Sequence, residues 1–272
     1  VIRAFIVGCP RSGTTYLQTL ACAHGQLFSL PETHFFEDFR DRSRLDRVRS
    51  RHYLPLRRRR PDPTGLAVLS LEHDRRANSL VWRRGARAFC EQLDDLAGRA
   101  GAGGWIEKTP GHFRAIEVIK RQLPDARFVH VIRDGEAVVS SLLDVTRRHP
   151  EAWGGPRSID RCVREWNDAV LVARECAPHP DHLVIRYEEA LTWPDLAFGR
   201  LTAFLGLPPA DYAGIDPGIA RSLTSQGEAW KASNVQSDFV PTDRSALLTP
   251  EDRRALARDL AALDWLPREA DA

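Results

Sequence analysis

The chain opens on a run of β-branched and aromatic residues, Val1 to Val7, that stops at Gly8, and then changes period. Tyr16, Leu17, Leu20 and Ala21 recur on one helical face between Thr14 and Ala23, before Gly25. This predicts strand, loop, helix. Leu27 to Leu30 reads as a second strand and Trp105 to Glu107 as a third, followed by Phe113, Ile116, Ile119 and Leu123 at helical spacing up to Pro124. Arg127 to Ile132 alternates as a strand and turns at Asp134 and Gly135 into a helix from about Glu136 to Arg147. Leu183 to Tyr187 supplies another strand, with a helix near Leu196 to Leu205, and a helix from Pro250 to Leu263 with Trp265 and Leu266 closes the chain. Strands alternating with helices predict an α/β fold in three layers, a mostly parallel central sheet flanked by helices.

Between Arg40 and Gly104 the alternation stops. Ten of the 21 residues from Arg40 to Arg60 are arginine and no strand signal appears, so the stretch at about 40–104 reads as a helical, Arg-rich insertion in one domain spanning 1–272. Arg57 to Arg60 and the arginines before them interleave with Asp38, Asp41 and Asp46, the pattern of a solvated face. An anionic acceptor or a membrane surface are the other environments open to them, and the insertion is expected to form an acceptor-side lid. Pro61, Pro63 and Gly65 suit a loop able to move.

Composition narrows the classes. With 43% hydrophobic and 28% charged residues the chain lies far from disordered sequences, and 272 residues suffice for one large core. A net charge of +2 excludes nucleic-acid binding through an overall field. No apolar run reaches the length of about 18 residues that a membrane helix needs, and no leader pattern is visible, so a cytoplasmic protein is expected. The five cysteines, Cys9, Cys22, Cys90, Cys162 and Cys176, contain no CxxC pair and predict reduced thiols rather than disulfides or a structural zinc. Only Lys108, Lys120 and Lys231 are lysines among 39 basic residues, which makes each of them notable.

Gly8-Cys9-Pro10-Arg11-Ser12-Gly13-Thr14-Thr15 falls between the first strand and the first helix, where backbone N–H groups and the helix dipole converge on an anion. The glycine spacing is that of GxxxxGK[ST], yet Thr14 occupies the lysine position and the cation has moved to Arg11. That disfavours an ordinary kinase or ATPase. Pro-Arg-Ser-Gly-Thr-Thr after a first strand resembles the 5'-phosphosulfate loop of sulfotransferases that use 3'-phosphoadenosine 5'-phosphosulfate (PAPS), of a bacterial type and similar in motifs to tyrosylprotein and carbohydrate sulfotransferases. The resemblance implies their fold, similar to P-loop nucleoside triphosphate hydrolases, and assigns Pro10, Arg11, Ser12, Gly13, Thr14 and Thr15 to the donor nucleotide.

A second element, Val129 to Ser141, puts Arg133 at a strand's C-terminal end and Ser141 two helical turns later, so both can face one anion. In the resemblance this pair binds the 3'-phosphate of PAPS. Val184 to Glu189, followed by Phe204 to Leu207, is similar to the late strand and helix of the family, and Gly227 to Lys231 to its C-terminal nucleotide-contacting segment; the resemblance adds Tyr187 and Lys231 to the nucleotide site. Sulfuryl transfer needs a base on the acceptor and positive charge at the bridging oxygen. Glu32, in Pro31-Glu32-Thr33-His34, looks like the family's general base; His34 stands where tyrosylprotein enzymes have Arg, which puts peptide acceptors in doubt. Lys108, in Glu107-Lys108-Thr109-Pro110, matches a catalytic lysine, and His112 is an alternative base with a near-neutral unperturbed pKa. The expected chemistry is in-line attack by a hydroxyl of a small-molecule, glycan or lipid acceptor, deprotonated by Glu32, with the sulfuryl group held by Arg11, Lys108 and the loop amides and no metal required. Two other readings stay open: a small-molecule P-loop kinase, dependent on Mg²⁺ and ATP, and a non-catalytic protein that binds adenosine 3',5'-bisphosphate.

Overall fold

Alternation in the first strand, β1 (Ile2–Gly8), sends Ala4 and Ile6 to one side and Phe5 and Val7 to the other, and all four are fully buried. A strand buried on both faces belongs inside a sheet covered twice. The computed structural model, which describes residues 1–39, 79–223 and 244–267, has such a sheet. β1, β2 (Leu27–Ser29), β3 (Gly104–Lys108), β4 (Arg127–Ile132) and β5 (His182–Arg186) are all parallel, in the order β2-β3-β1-β4-β5.

Among the described residues the sheet is flanked, in chain order, by helices α1 (Thr14–Cys22), α2 (Ser79–Arg99), α3 (Ile116–Gln122), α4 (Gly135–Arg148), α5 (Ile159–Cys176), α6 (Tyr187–Thr192), α7 (Pro194–Leu205) and α8 (Pro250–Asp259), with further short helices at Pro150–Trp153 and Pro217–Ser222. Leu17, Leu20, Phe198 and Leu201 of α1 and α7 cover the face of Ile6, Ile106 and Val129. Phe89, Leu93, Leu142 and Trp166 of α2, α4 and α5 cover the face of Phe5, Trp105 and Phe128. Phe5 anchors that second layer, edge-on to Trp105 at 5.3 Å and stacked on Phe128 at 5.4 Å, geometries that aromatic quadrupoles favour.

After β1 the chain moves out to β2 and returns through β3, and after β3 it crosses β1 to β4. The direction of travel therefore reverses at β1, and ligands of open α/β sheets bind beyond the carboxyl ends of strands at such a reversal. The register brings those ends level: Ile6 pairs with Lys108, Gly8 with Val131 and Ile132 with Arg186.

The elements differ from the sequence reading in four places. α5 was not anticipated between Arg147 and Leu183, although Cys162, Val163, Trp166, Ala169, Val170 and Ala173 recur at helical spacing along its buried face, so the local signal for it was present. The helix expected through Phe113 is a 3₁₀ segment, Pro110–Ala115, that becomes α-helical only at Ile116. Tyr187 begins α6 instead of ending β5. α8 stops at Asp259 rather than Leu263, since the Asn167 side chain donates to the Asp259 carbonyl and accepts from the Ala261 N–H, while Arg186 donates to the carbonyls of Leu263 and Leu266. Within the expected insertion the described part is α2, a helix leading into β3; Arg57 to Arg60 lie outside the described residues. Among the described residues no helix is long and apolar enough to cross a membrane.

Candidate active site

The loop after β1 is shaped by its glycines. Gly8 packs so closely on β4 that a Cβ there would meet the Val131 carbonyl oxygen at 2.5 Å. Arg11 (φ 74°) and Gly13 (φ 89°) are left-handed, and the Cys9 carbonyl accepts from the Ser12 N–H at 3.2 Å, so the loop closes tightly before α1 begins. No side chain caps the start of α1, and the Ser12 hydroxyl is buried without a hydrogen-bond partner. An unsatisfied hydroxyl beside a helix N-terminus is what an anion would complete.

Arg133 and Ser141 meet this loop directly. Arg11 Nε donates to Ser141 Oγ at 3.1 Å, and Arg133 Nη1 donates to the Arg11 carbonyl at 3.2 Å. The Arg133 guanidinium lies 4.9 Å from the centre of the Tyr187 ring, and that ring roofs Gly13, where a Cβ would come within 2.1 Å of it. Burial, and then the positive charges of Arg244 and Arg133, pull Arg11 down to about 10 against the opposing pull of Glu32. Arg244, itself paired to Asp144 at 2.7 Å, was missed in the sequence because nothing near it marks a site. Only the fold returns it to the loop.

On the other side of β1, the end of β3 is wholly buried although it carries Glu107 and Lys108. Lys108 Nζ donates to Glu32 Oε1 at 2.5 Å, and each charge is the other's counterion in a nearly dry setting. Glu107 accepts from the Thr109 hydroxyl at 2.6 Å, the Thr33 hydroxyl at 2.9 Å and the Thr33 N–H at 3.3 Å on one oxygen, and from His112 Nδ1 at 2.9 Å on the other. Burial alone would raise its pKa, but these partners hold it below the ordinary carboxylate value. Thus Glu107 fixes the residue next to Glu32. The sequence held a signal for it, a carboxylate inside a strand, that went unread.

His112 is turned into the core. It is fully buried, its Nδ1–H is directed at Glu107, and its Nε2 accepts from the Phe36 N–H at 3.1 Å, which commits both nitrogens. His34 lies nearer, with Nε2 3.4 Å from Glu32 and Nδ1 3.0 Å from Glu37.

A sulfotransferase family model matches residues 4–211, three quarters of the chain. The chain belongs to the sulfotransferase family. It is similar to protein-tyrosine sulfotransferase A of Caenorhabditis elegans, 24% identical over 208 residues, covering 75% of this chain and 50% of that protein. Nodulation protein NoeE of Sinorhizobium fredii is 24% identical over 290 residues, covering 96% of this chain and 64% of that protein. The chain thus spans half to two thirds of the length of these relatives. Mouse sulfotransferase SULT7A1, solved in complex with PAP, shares the fold with a TM-score of 0.53 at 15% identity, covering 94% of this chain and 82% of that one.

The matched stretch of this sulfotransferase-family chain contains Pro10 to Thr15, Glu32, Lys108, Arg133, Ser141 and Tyr187, while Arg244 lies beyond it. Thr14 is buried in the first turn of α1, and the Thr15 carbonyl accepts from the Thr19 hydroxyl. Lys231 lies outside the described residues.

Proposed function

We propose that this protein is a PAPS-dependent sulfotransferase that moves the sulfuryl group to a hydroxyl of a small-molecule, glycan or lipid acceptor, leaving a sulfate ester and adenosine 3',5'-bisphosphate. One observation carries the reading: Arg11, Arg133 and Ser141, from two separate elements, converge on the loop before α1 beside the Glu32–Lys108 ion pair. The donor nucleotide is multiply anionic. The buried unpartnered Ser12 hydroxyl, the uncapped start of α1 and the crowding of Arg11, Arg133 and Arg244 form a site that such an anion would complete.

In this reading Pro10 to Thr15 hold the 5'-phosphosulfate, Arg133 and Ser141 the 3'-phosphate, and Tyr187 closes the loop over Gly13. Lys231 is proposed as a further nucleotide contact. Glu32 takes the proton of the acceptor hydroxyl as that oxygen attacks in line. Lys108 and Arg11 meet the charge that develops on the bridging oxygen, the place where fixed positive groups lower a barrier most. In the resting pair Lys108 and Glu32 neutralise each other; negative charge entering beside Lys108 draws the ammonium away and leaves the carboxylate able to accept a proton. His112 takes no part in proton transfer and serves instead to hold Glu107.

The test is calorimetric titration with adenosine 3',5'-bisphosphate, followed by labelled sulfuryl transfer from PAPS across phenol, sugar and lipid acceptors, with Mg²⁺-ATP as the control donor. Saturable binding and an acceptor-dependent sulfate ester are expected. Absence of binding heat, or Mg²⁺-dependent turnover of ATP in place of PAPS, overturns the proposal.

A further inference from the structure

Behind the site, at the end of α5 and between β4 and β5, three residues without a role in sulfuryl transfer face one another. His130 of β4, Cys176 at the last position of α5 and His182 at the first of β5 offer ligand atoms that all lie within 4.8 Å of one another. His130 Nε2 and His182 Nδ1 are 2.8 Å apart, sharing a single proton, and the other nitrogen of His130 is buried with no hydrogen-bond partner.

We infer that His130, Cys176 and His182 form a binding site for a thiophilic divalent transition-metal ion of the zinc type, separate from the catalytic centre. Two imidazoles and one thiolate are the ligand set such ions prefer over Mg²⁺ or Ca²⁺. Two nitrogens bound to one tetrahedral zinc at about 2.0–2.1 Å lie about 3.3–3.4 Å apart, so the present pair needs to open by roughly half an ångström. Cys176 is partly exposed, which gives the ion an entry path and leaves a water to fill the fourth position. On binding, the Cys176 S–H bond breaks, its proton passes to solvent and a sulfur–metal bond forms; the proton between the two imidazoles is displaced by the ion to the outer nitrogen of one ring. The outer nitrogen of His182 lies 3.8 Å from Asp181, itself tied to Lys120 at 2.5 Å. The 3.8 Å separation is too long for a hydrogen bond, so Asp181 faces the site only as a nearby charge. Cysteine spacing gave no sign of the site because its ligands come from three elements.

The test is titration of the full-length reduced protein with Co²⁺, read by thiolate charge-transfer and tetrahedral d–d absorption, with Zn²⁺ as competitor and in thermal unfolding. One equivalent of Co²⁺ with a thiolate band, displaced by Zn²⁺, and a Zn²⁺-induced rise in Tm are expected. Cys176→Ser, a mild change at a partly exposed position, is expected to abolish the thiolate band. Should His130→Ala fail to fold, His182→Gln carries the same expectation of lost binding. Wild-type protein without a thiolate band, or a band that survives Cys176→Ser, overturns the assignment.

Discussion

Replacing Glu107 by Gln is the sharpest probe of how the fold supports the site, because it preserves shape and changes only charge and hydrogen-bond character. The carboxylate is fully buried and accepts four hydrogen bonds, three on one oxygen and one on the other. An amide turns one of those acceptors into a donor. If its NH₂ faces His112, the ring must move its proton to Nε2, which then opposes the Phe36 N–H; if it faces the threonines, the hydroxyls can rotate but the Thr33 N–H cannot. Either way one buried donor loses its partner, which costs about 1–3 kcal/mol, and the remaining bonds lose charge assistance worth about 1 kcal/mol each. A loss of roughly 4–6 kcal/mol in stability follows from these terms, measurable by urea unfolding at unchanged m, together with a fall in turnover since Thr33 adjoins Glu32. Acid should narrow the gap. Glu107 is held below its unfolded value, so its contribution is complete above about pH 4.3 and is lost as pH falls through the lower folded value. A change under about 1 kcal/mol at neutral pH, or a gap that widens in acid, would refute this account of Glu107.

Three further outcomes are expected. Glu32→Ala should lower turnover about 10²- to 10⁴-fold while calorimetric affinity for adenosine 3',5'-bisphosphate stays within a few-fold, and unchanged turnover would dismiss it as the base. Arg133→Ala removes charge-assisted hydrogen bonds worth about 1.5–3 kcal/mol and should weaken binding of that nucleotide about 10- to 150-fold, without a matching loss of thermal stability. Gly13→Ala places a Cβ at left-handed φ against the Tyr187 ring, a strain of about 1–3 kcal/mol, and should be read as weakened nucleotide binding in a chain whose circular dichroism is native.

The Gly8 to Thr15 loop was legible in the sequence because its chemistry is local: two glycines and a strand-to-helix junction bring backbone N–H groups to one point whatever the rest of the chain does. The period of β1, β4, α4 and α7 was legible for the same reason, as was the parallel sheet it implies. Glu32, Lys108, Arg133 and Ser141 could be singled out from the motifs around them, but not their contacts. Long-range pairing decided those. Strand register set Lys108 level with β1, so that its ammonium reaches Glu32, and the fold carried Arg244 back to the loop and left both nitrogens of His112 occupied. Local sequence fixes which atoms a short segment offers, whereas which distant donor meets which acceptor depends on the order of strands and on burial, and neither is encoded in any one segment.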